Sequence, residues 1–163
     1  MTHRIGKAIA IAAEVHKEQV DKGDEPYMYH VWEVMNRGKE RCLALGITDP
    51  ETITTIMCLC VLHDALEDFE GTPIERGHLR DRISNDCGSQ VLARLDILTK
   101  RKGEPYDQYI ERVAKNWMTR LAKLCDLSHN MEAWRIPTGQ ITEKDFQRWD
   151  KYHRAFVRLM RED

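Results

Sequence analysis

The side chains best able to do chemistry are two histidines and two aspartates: His30, the adjacent pair His63-Asp64, and Asp126. Each falls on a segment whose apolar spacing predicts a helix. Two imidazoles and two carboxylates can hold one divalent ion. The donors are nitrogen and oxygen without thiolate, which suits manganese, iron, cobalt or zinc better than calcium. Four protein donors leave positions for water, as in a catalytic site and not in a closed structural one. Such an ion lowers the pKa of a bound water and steadies charge on a phosphoryl oxygen. The chemistry predicted is hydrolysis of a phosphoester or pyrophosphate. Glu67 follows His63 by four residues and Asp68 follows Asp64 by four, so each shares a helical face with its predecessor if the helix persists. One of the two acids can orient or deprotonate the attacking water, with the other in support. Two plainer readings compete. A buried His-Asp pair can be a hydrogen-bonded core element, and Glu67, Asp68 and Glu70 can be a solvated acidic helix end. Against the first, His63 and Asp64 interrupt the apolar run 56–62, where unpaired burial is costly.

These side chains need helices to carry them. Helical rhythm runs over 5–20 and breaks at 23–26. It resumes over 27–38 with His30, Val31, Val34 and Met35. Asp49-Pro50 opens a central buried helix that reaches Ala65 or Leu66, with Asp49 as cap and Pro50 in the first turn. Thr72-Pro73-Ile74-Glu75 is a capping-box pattern for a short helix, and 89–98 is another apolar-rich stretch. After a charged break at 100–104, one long helix is expected from Tyr106 through Asp126, continuing to Ala133 or Trp134. Pro137, Thr138 and Gly139 end it, and Trp134 and Trp149 flank that turn as candidate packing partners. The last helix starts near Thr142 and runs through Leu159. No alternating strand pattern appears. The expectation is all-α: a single compact domain of roughly seven to eight helices spanning 1–163.

Composition limits the partners. The 163 residues are 42% hydrophobic and 32% charged, values of a globular chain with its own core. A net charge of -2 supplies no basic field for nucleic acid, so none is expected as a partner. The five cysteines form no CxxC pair, and Cys58, Cys60 and Cys125 sit among apolar residues, as buried free thiols in a reducing compartment would. No signal peptide and no membrane-length apolar run is visible, so a cytoplasmic location away from membranes is expected. The four tryptophans read as core or interface residues; any left exposed near the C-terminus would favour a homodimer.

Five segments resemble the HD-domain metal-dependent phosphohydrolases. The closest likeness is to the guanosine tetraphosphate (ppGpp) hydrolase domain of RelA/SpoT enzymes and their small stand-alone relatives. They are His16-x-x-Gln19 with Glu25-Pro26-Tyr27-x-x-His30; Leu62-His63-Asp64-Ala65-Leu66-Glu67-Asp68; Leu98-Thr99-Lys100; Tyr109-Ile110-x-Arg112-Val113-x-x-Asn116; and Lys123-Leu124-Cys125-Asp126-Leu127-x-His129-Asn130-Met131. Order and spacing agree over 8–131. The resemblance implies that His30, His63, Asp64 and Asp126 bind manganese and that Glu67 and Asp68 handle the nucleophilic water. It implies that Asn130 lies beside the nucleotide's sugar and phosphate, and that Lys123, Thr99 and Lys100 lie near the ligand. The expected reaction removes the 3′-pyrophosphate of a ppGpp-like nucleotide. The alternatives are the same chemistry on a nucleoside monophosphate or the 2′-phosphate of NADPH, and a metal-binding regulatory protein without turnover. Lys22, Tyr27 and Asn116 are further candidate substrate contacts, Arg112 and Arg120 candidate phosphate clamps, and His16 and His129 supporting groups. The chain departs from the resemblance at Asp21 and Leu127, where those enzymes usually carry basic residues.

Overall fold

The computed structural model describes residues 2–21, 23–135 and 141–161, with the side chains of Thr2 and Trp134 excepted. Lys22 and the turn at Pro137, Thr138 and Gly139 therefore lie outside the described residues, as does the side-chain half of the Trp134–Trp149 expectation. The described chain is all-α, as the periodicity predicts. Its helices are α1 (Thr2–Val15), α2 (Tyr27–Ala44), α3 (Pro50–Leu62), α4 (Pro73–Cys87), α5 (Ser89–Leu98), α6 (Tyr106–Ala114), α7 (Trp117–Asn130) and α8 (Glu143–Met160), with a 3₁₀ turn at Ala133–Arg135. No strand forms among the described residues; one isolated bridge, Val20 to Pro26, closes the α1–α2 loop.

Helix α3 is the centre of the bundle. Eight of its residues, from Thr54 to Leu62, are buried, and α1, α2, α5 and α7 pack around it. An all-round apolar helix has this place because no face of it tolerates water. Asp49 caps its start, accepting from the Thr52 N–H at 2.8 Å. Helix α2 approaches closely at Gly38, where a Cβ would meet Cys60 Sγ at 2.6 Å. All five cysteines are free and buried: Cys58, Cys60 and Cys125 as their apolar neighbours predict, and Cys42 and Cys87 beside charged ones.

Four boundaries differ from expectation. Helix α1 stops at Val15, short of Val20, and the Tyr27 N–H at the start of α2 returns to the Gln19 carbonyl. Helix α3 ends at Leu62, before the chemistry. The Ala65 and Glu67 N–H groups bond to Leu62 and Asp64 carbonyls in tight three-residue turns. Helix α4 has 15 residues and is not short. The long helix expected from Tyr106 is two helices, because the Asn116 carboxamide accepts from the Met118 and Thr119 N–H groups and starts α7 afresh. The described tryptophans also depart from a core role: Trp32, Trp117 and Trp149 are exposed. The Trp149 indole N–H donates to the Met131 carbonyl and stacks on His153.

Candidate metal centre and its cavity

Three helices converge on one point. His30 comes from the first turn of α2, His63 caps the C-terminus of α3, Asp64 opens the turn that follows, and Asp126 lies on α7. One ligand atom from each lies within 4.8 Å of all the others. His63 Nε2 is 2.9 Å from Asp64 Oδ2, 3.2 Å from His30 Nε2 and 3.6 Å from Asp126 Oδ1. His63 keeps helical backbone angles, so Asp64 leaves the chain on the order of 100° around from it, and the common point lies between their two directions.

The outer contacts fit a divalent ion. His63 Nδ1 donates to the Cys60 carbonyl at 2.8 Å, which leaves the Nε2 lone pair facing the centre. His30 Nδ1 meets His129 Nδ1 at 2.7 Å with the rings stacked. With His30 as donor, its Nε2 is likewise a ligand atom. Both Asp126 oxygens are held: Oδ2 by Lys123 Nζ at 2.6 Å, Oδ1 by the Asn130 amide. Tyr27 donates its hydroxyl to Asp64. Burial opposes a charge on His63, yet Asp64 and Asp126 outweigh it and hold its pKa well above the ordinary value. Burial likewise opposes the Asp126 charge, and Lys123 with the two histidines holds its pKa well below the usual range. The donor set is organised to hold positive charge between two carboxylates, so a divalent cation suits it.

A cavity of about 610 Å³ opens over the centre. It is lined by Tyr27, Asp64, Glu67, Asp68, Lys123 and Asp126, together with Lys100, Tyr106 and Tyr109. The Lys100 N–H donates to Glu67 at 3.2 Å. Asp68 is half-buried, and burial with the charges of Asp64 and Glu67 pushes its pKa up to about 6. His16 is buried against Tyr27 and bonds to Gln19 at 2.6 Å.

Some expected contacts are elsewhere. Thr99 bonds back to the Leu95 carbonyl at 2.8 Å, and Asn116 is consumed as the α7 cap; neither lines the cavity. Arg112 does not line the cavity. Its guanidinium is spent on Glu104 and the last carbonyls of α5, and Arg120 is not among the lining residues either. Leu127 is wholly buried in the core.

The structure gives a place at the cavity to groups that sequence reasoning had either missed, Arg148 and Arg135, or noted only as usual in a terminal helix, Lys151 and Tyr152. Arg148, Lys151 and Tyr152 reach the cavity from α8. Their i, i+3, i+4 spacing on an amphipathic helix was a usable signal. Lys151 lies 4.8 Å over the Tyr106 ring and 5.1 Å over Tyr152. Burial lowers its pKa, helped by the nearby Lys123, Arg148 and Lys100. Such crowding of cations is relieved by an anion. The Tyr106 hydroxyl is buried without a hydrogen-bond partner among the described residues. Arg135, on the 3₁₀ turn, also lines the cavity; no local pattern marks it.

No protein-family model matches the chain. Over 141 residues it is 30% identical to a GTP pyrophosphokinase of Myxococcus xanthus, covering 78% of this chain and 16% of that protein. A probable GTP pyrophosphokinase of Mycobacterium leprae is 26% identical over 141 residues, 81% of this chain and 16% of that protein. The chain thus spans about one sixth of the curated relatives it matches. A solved structure described as a metazoan ortholog of SpoT that hydrolyses ppGpp and plays a role in starvation responses superposes with TM-score 0.72. The two are 21% identical, over 97% of this chain and 85% of that one. By sequence this chain is related to one segment of these GTP pyrophosphokinases, and its all-α fold is that of the SpoT ortholog's structure, with a His/Asp cluster able to hold a metal ion.

Proposed function

We propose that the domain is a manganese-dependent phosphohydrolase that removes the 3′-pyrophosphate of a ppGpp-like guanosine nucleotide. The observation that carries the reading is the convergence of His30, His63, Asp64 and Asp126 at a cavity lined by both acids and cations. A bound divalent ion supplies Lewis acidity toward water and phosphoryl oxygen. Asp68, with its carboxyl near neutrality, takes the proton of the attacking water, and Glu67 orients that water from the adjoining turn. Lys100, Lys123, Arg148 and Lys151 neutralise the diphosphate, and Tyr27, Tyr106 and Asn130 contact the sugar and its phosphate.

A second reading has its own observation. The loop after α1 presents Asp21 to the cavity, where the resembled enzymes usually carry arginine, and this wall offers a carboxylate paired with Arg135. It favours another nucleotide with the same chemistry, such as the 2′-phosphate of NADPH or a nucleoside monophosphate. Manganese-dependent release of phosphate and pyrophosphate from ppGpp, GTP, NADPH and nucleoside monophosphates separates the two. Pyrophosphate from ppGpp alone, abolished by His63→Ala and Glu67→Ala, supports the first. Release from another nucleotide, equally sensitive, transfers the mechanism to that substrate. No metal-dependent release from any of them refutes both and leaves a metal-binding regulatory protein.

A further inference from the structure

Arg135 and Asp21 are 114 residues apart in sequence yet form a pair buried on both sides, with side chains 9% and 5% exposed. Arg135 Nη2 and Nε donate to the same Asp21 oxygen at 2.7 and 3.3 Å. The other Asp21 oxygen accepts from the Gly23 and Glu25 N–H groups at 2.8 and 3.2 Å, so the loop holds the carboxylate rigidly. With one edge of the guanidinium fixed, its remaining nitrogen, Nη1, is aimed at a single place. It donates to Asn130 Oδ1 at 2.9 Å and lies 3.3 Å from His30 Nδ1. That contact decides which way the Asn130 amide points. With Oδ1 taken by arginine, Nδ2 must face Asp126 Oδ1, which it bonds. A reversed amide would set oxygen against carboxylate oxygen at a metal ligand.

We infer that Arg135, anchored by Asp21, is a positioning residue that locks the Asn130 amide and through it the Asp126 oxygen offered to the metal. The chain Asp21–Arg135–Asn130–Asp126 runs from the α1–α2 loop to the centre without a break. A lysine cannot replace its arginine, because one ammonium does not span a carboxylate and a carboxamide in a fixed fork. The inference rests on the metal reading above but not on any substrate.

The test is cobalt titration of the full chain, followed by the visible absorption of the bound ion. Groups that orient metal ligands typically change metal affinity by about 10-fold to 100-fold when removed. That loss is expected for Arg135→Ala, and a similar one for Arg135→Lys, with far-ultraviolet dichroism and melting unchanged enough to show a folded chain. If Arg135→Ala does not fold, Arg135→Lys, which keeps the stem and charge, carries the test. In an Asn130→Ala background Arg135→Ala should cost little more, because the two act in series. The double reversal Asp21→Arg with Arg135→Asp restores an ion pair but supplies no donor to Asn130, so affinity should stay low. Recovery in the double reversal, or an undiminished loss in the Asn130→Ala background, would make the pair a loop brace and overturn the inference. Failure of the native chain to take up cobalt overturns the metal reading and the inference with it. Cobalt uptake without hydrolysis of any nucleotide refutes only the proposed reaction.

Discussion

At the residue scale, Asp68 is the most informative single group. Its carboxyl is raised from an ordinary 3.8 to about 6 by burial and by Asp64 and Glu67. A raised carboxyl pKa means the folded chain binds the proton more tightly than the unfolded one. Stability from this group is therefore lost as pH rises from 3.8 through 6, and the cost is fully present above. In the metal-free chain, Asp68→Asn should raise the melting temperature at pH 7 and leave it unchanged below pH 3.8. The scale is on the order of 2–4 °C per kcal/mol relieved. The same substitution should lower turnover by about 10²–10⁴-fold and erase the acid limb of the rate profile, which a divalent ion at Asp64 would set below the metal-free pKa. An acid limb that survives in Asp68→Asn would assign the proton to another group. The ligand set was legible from sequence because residue type alone restricts metal binding. Arg135 was not, since its meaning lies in a partner 114 positions away.

The elements repeat that lesson one level up. The two helices α6 and α7 read as one because apolar positions such as Tyr109, Ile110, Val113 and Leu121 remain nearly in phase across the junction. What separates them is one carboxamide, and its capping geometry competes directly with its reading as a ligand contact. Asn116→Ala should cost about 1 kcal/mol of stability by loss of the cap and leave nucleotide affinity unchanged. A large rise in KM with unchanged melting would return Asn116 to the cavity. The end of α3 was misplaced for a related reason: periodicity runs on into Ala65 and Leu66, which are buried although the helix has stopped. Close approach of α2 and α3 gives a second prediction here. Gly38→Ala drives a Cβ into Cys60 Sγ, and overpacking of this kind costs about 1–3 kcal/mol. Because the Cys60 carbonyl holds His63, cobalt affinity should fall along with the melting temperature.

Over the whole molecule, charge organisation separates support from function. The Arg112–Glu104 pair, with side chains 18% and 12% exposed, ties α6 to the end of α5. Arg112 holds the Glu104 carboxyl at about 2, below its ordinary 4.5. A depressed carboxyl stabilises the fold above pH 4.5, and that contribution is lost as pH falls toward 2. Glu104→Gln should therefore lower the melting temperature at pH 7 and converge on the native chain near pH 2. Among the described residues, no helix is long and apolar enough to cross a membrane.

Helix α8 has a consequence of a different kind. It carries Arg148, Lys151 and Tyr152 to the cavity, yet it buries fully only Ala155 and Leu159. The four metal donors all lie on other segments. A seam so narrow makes this the first helix to fray on warming, with amide protons that exchange ahead of those of α3. Ligand that bridges the two parts should slow that exchange in α8 far more than in α3. Below the main melting transition there is then a thermal window in which the ion is retained while catalysis has ceased.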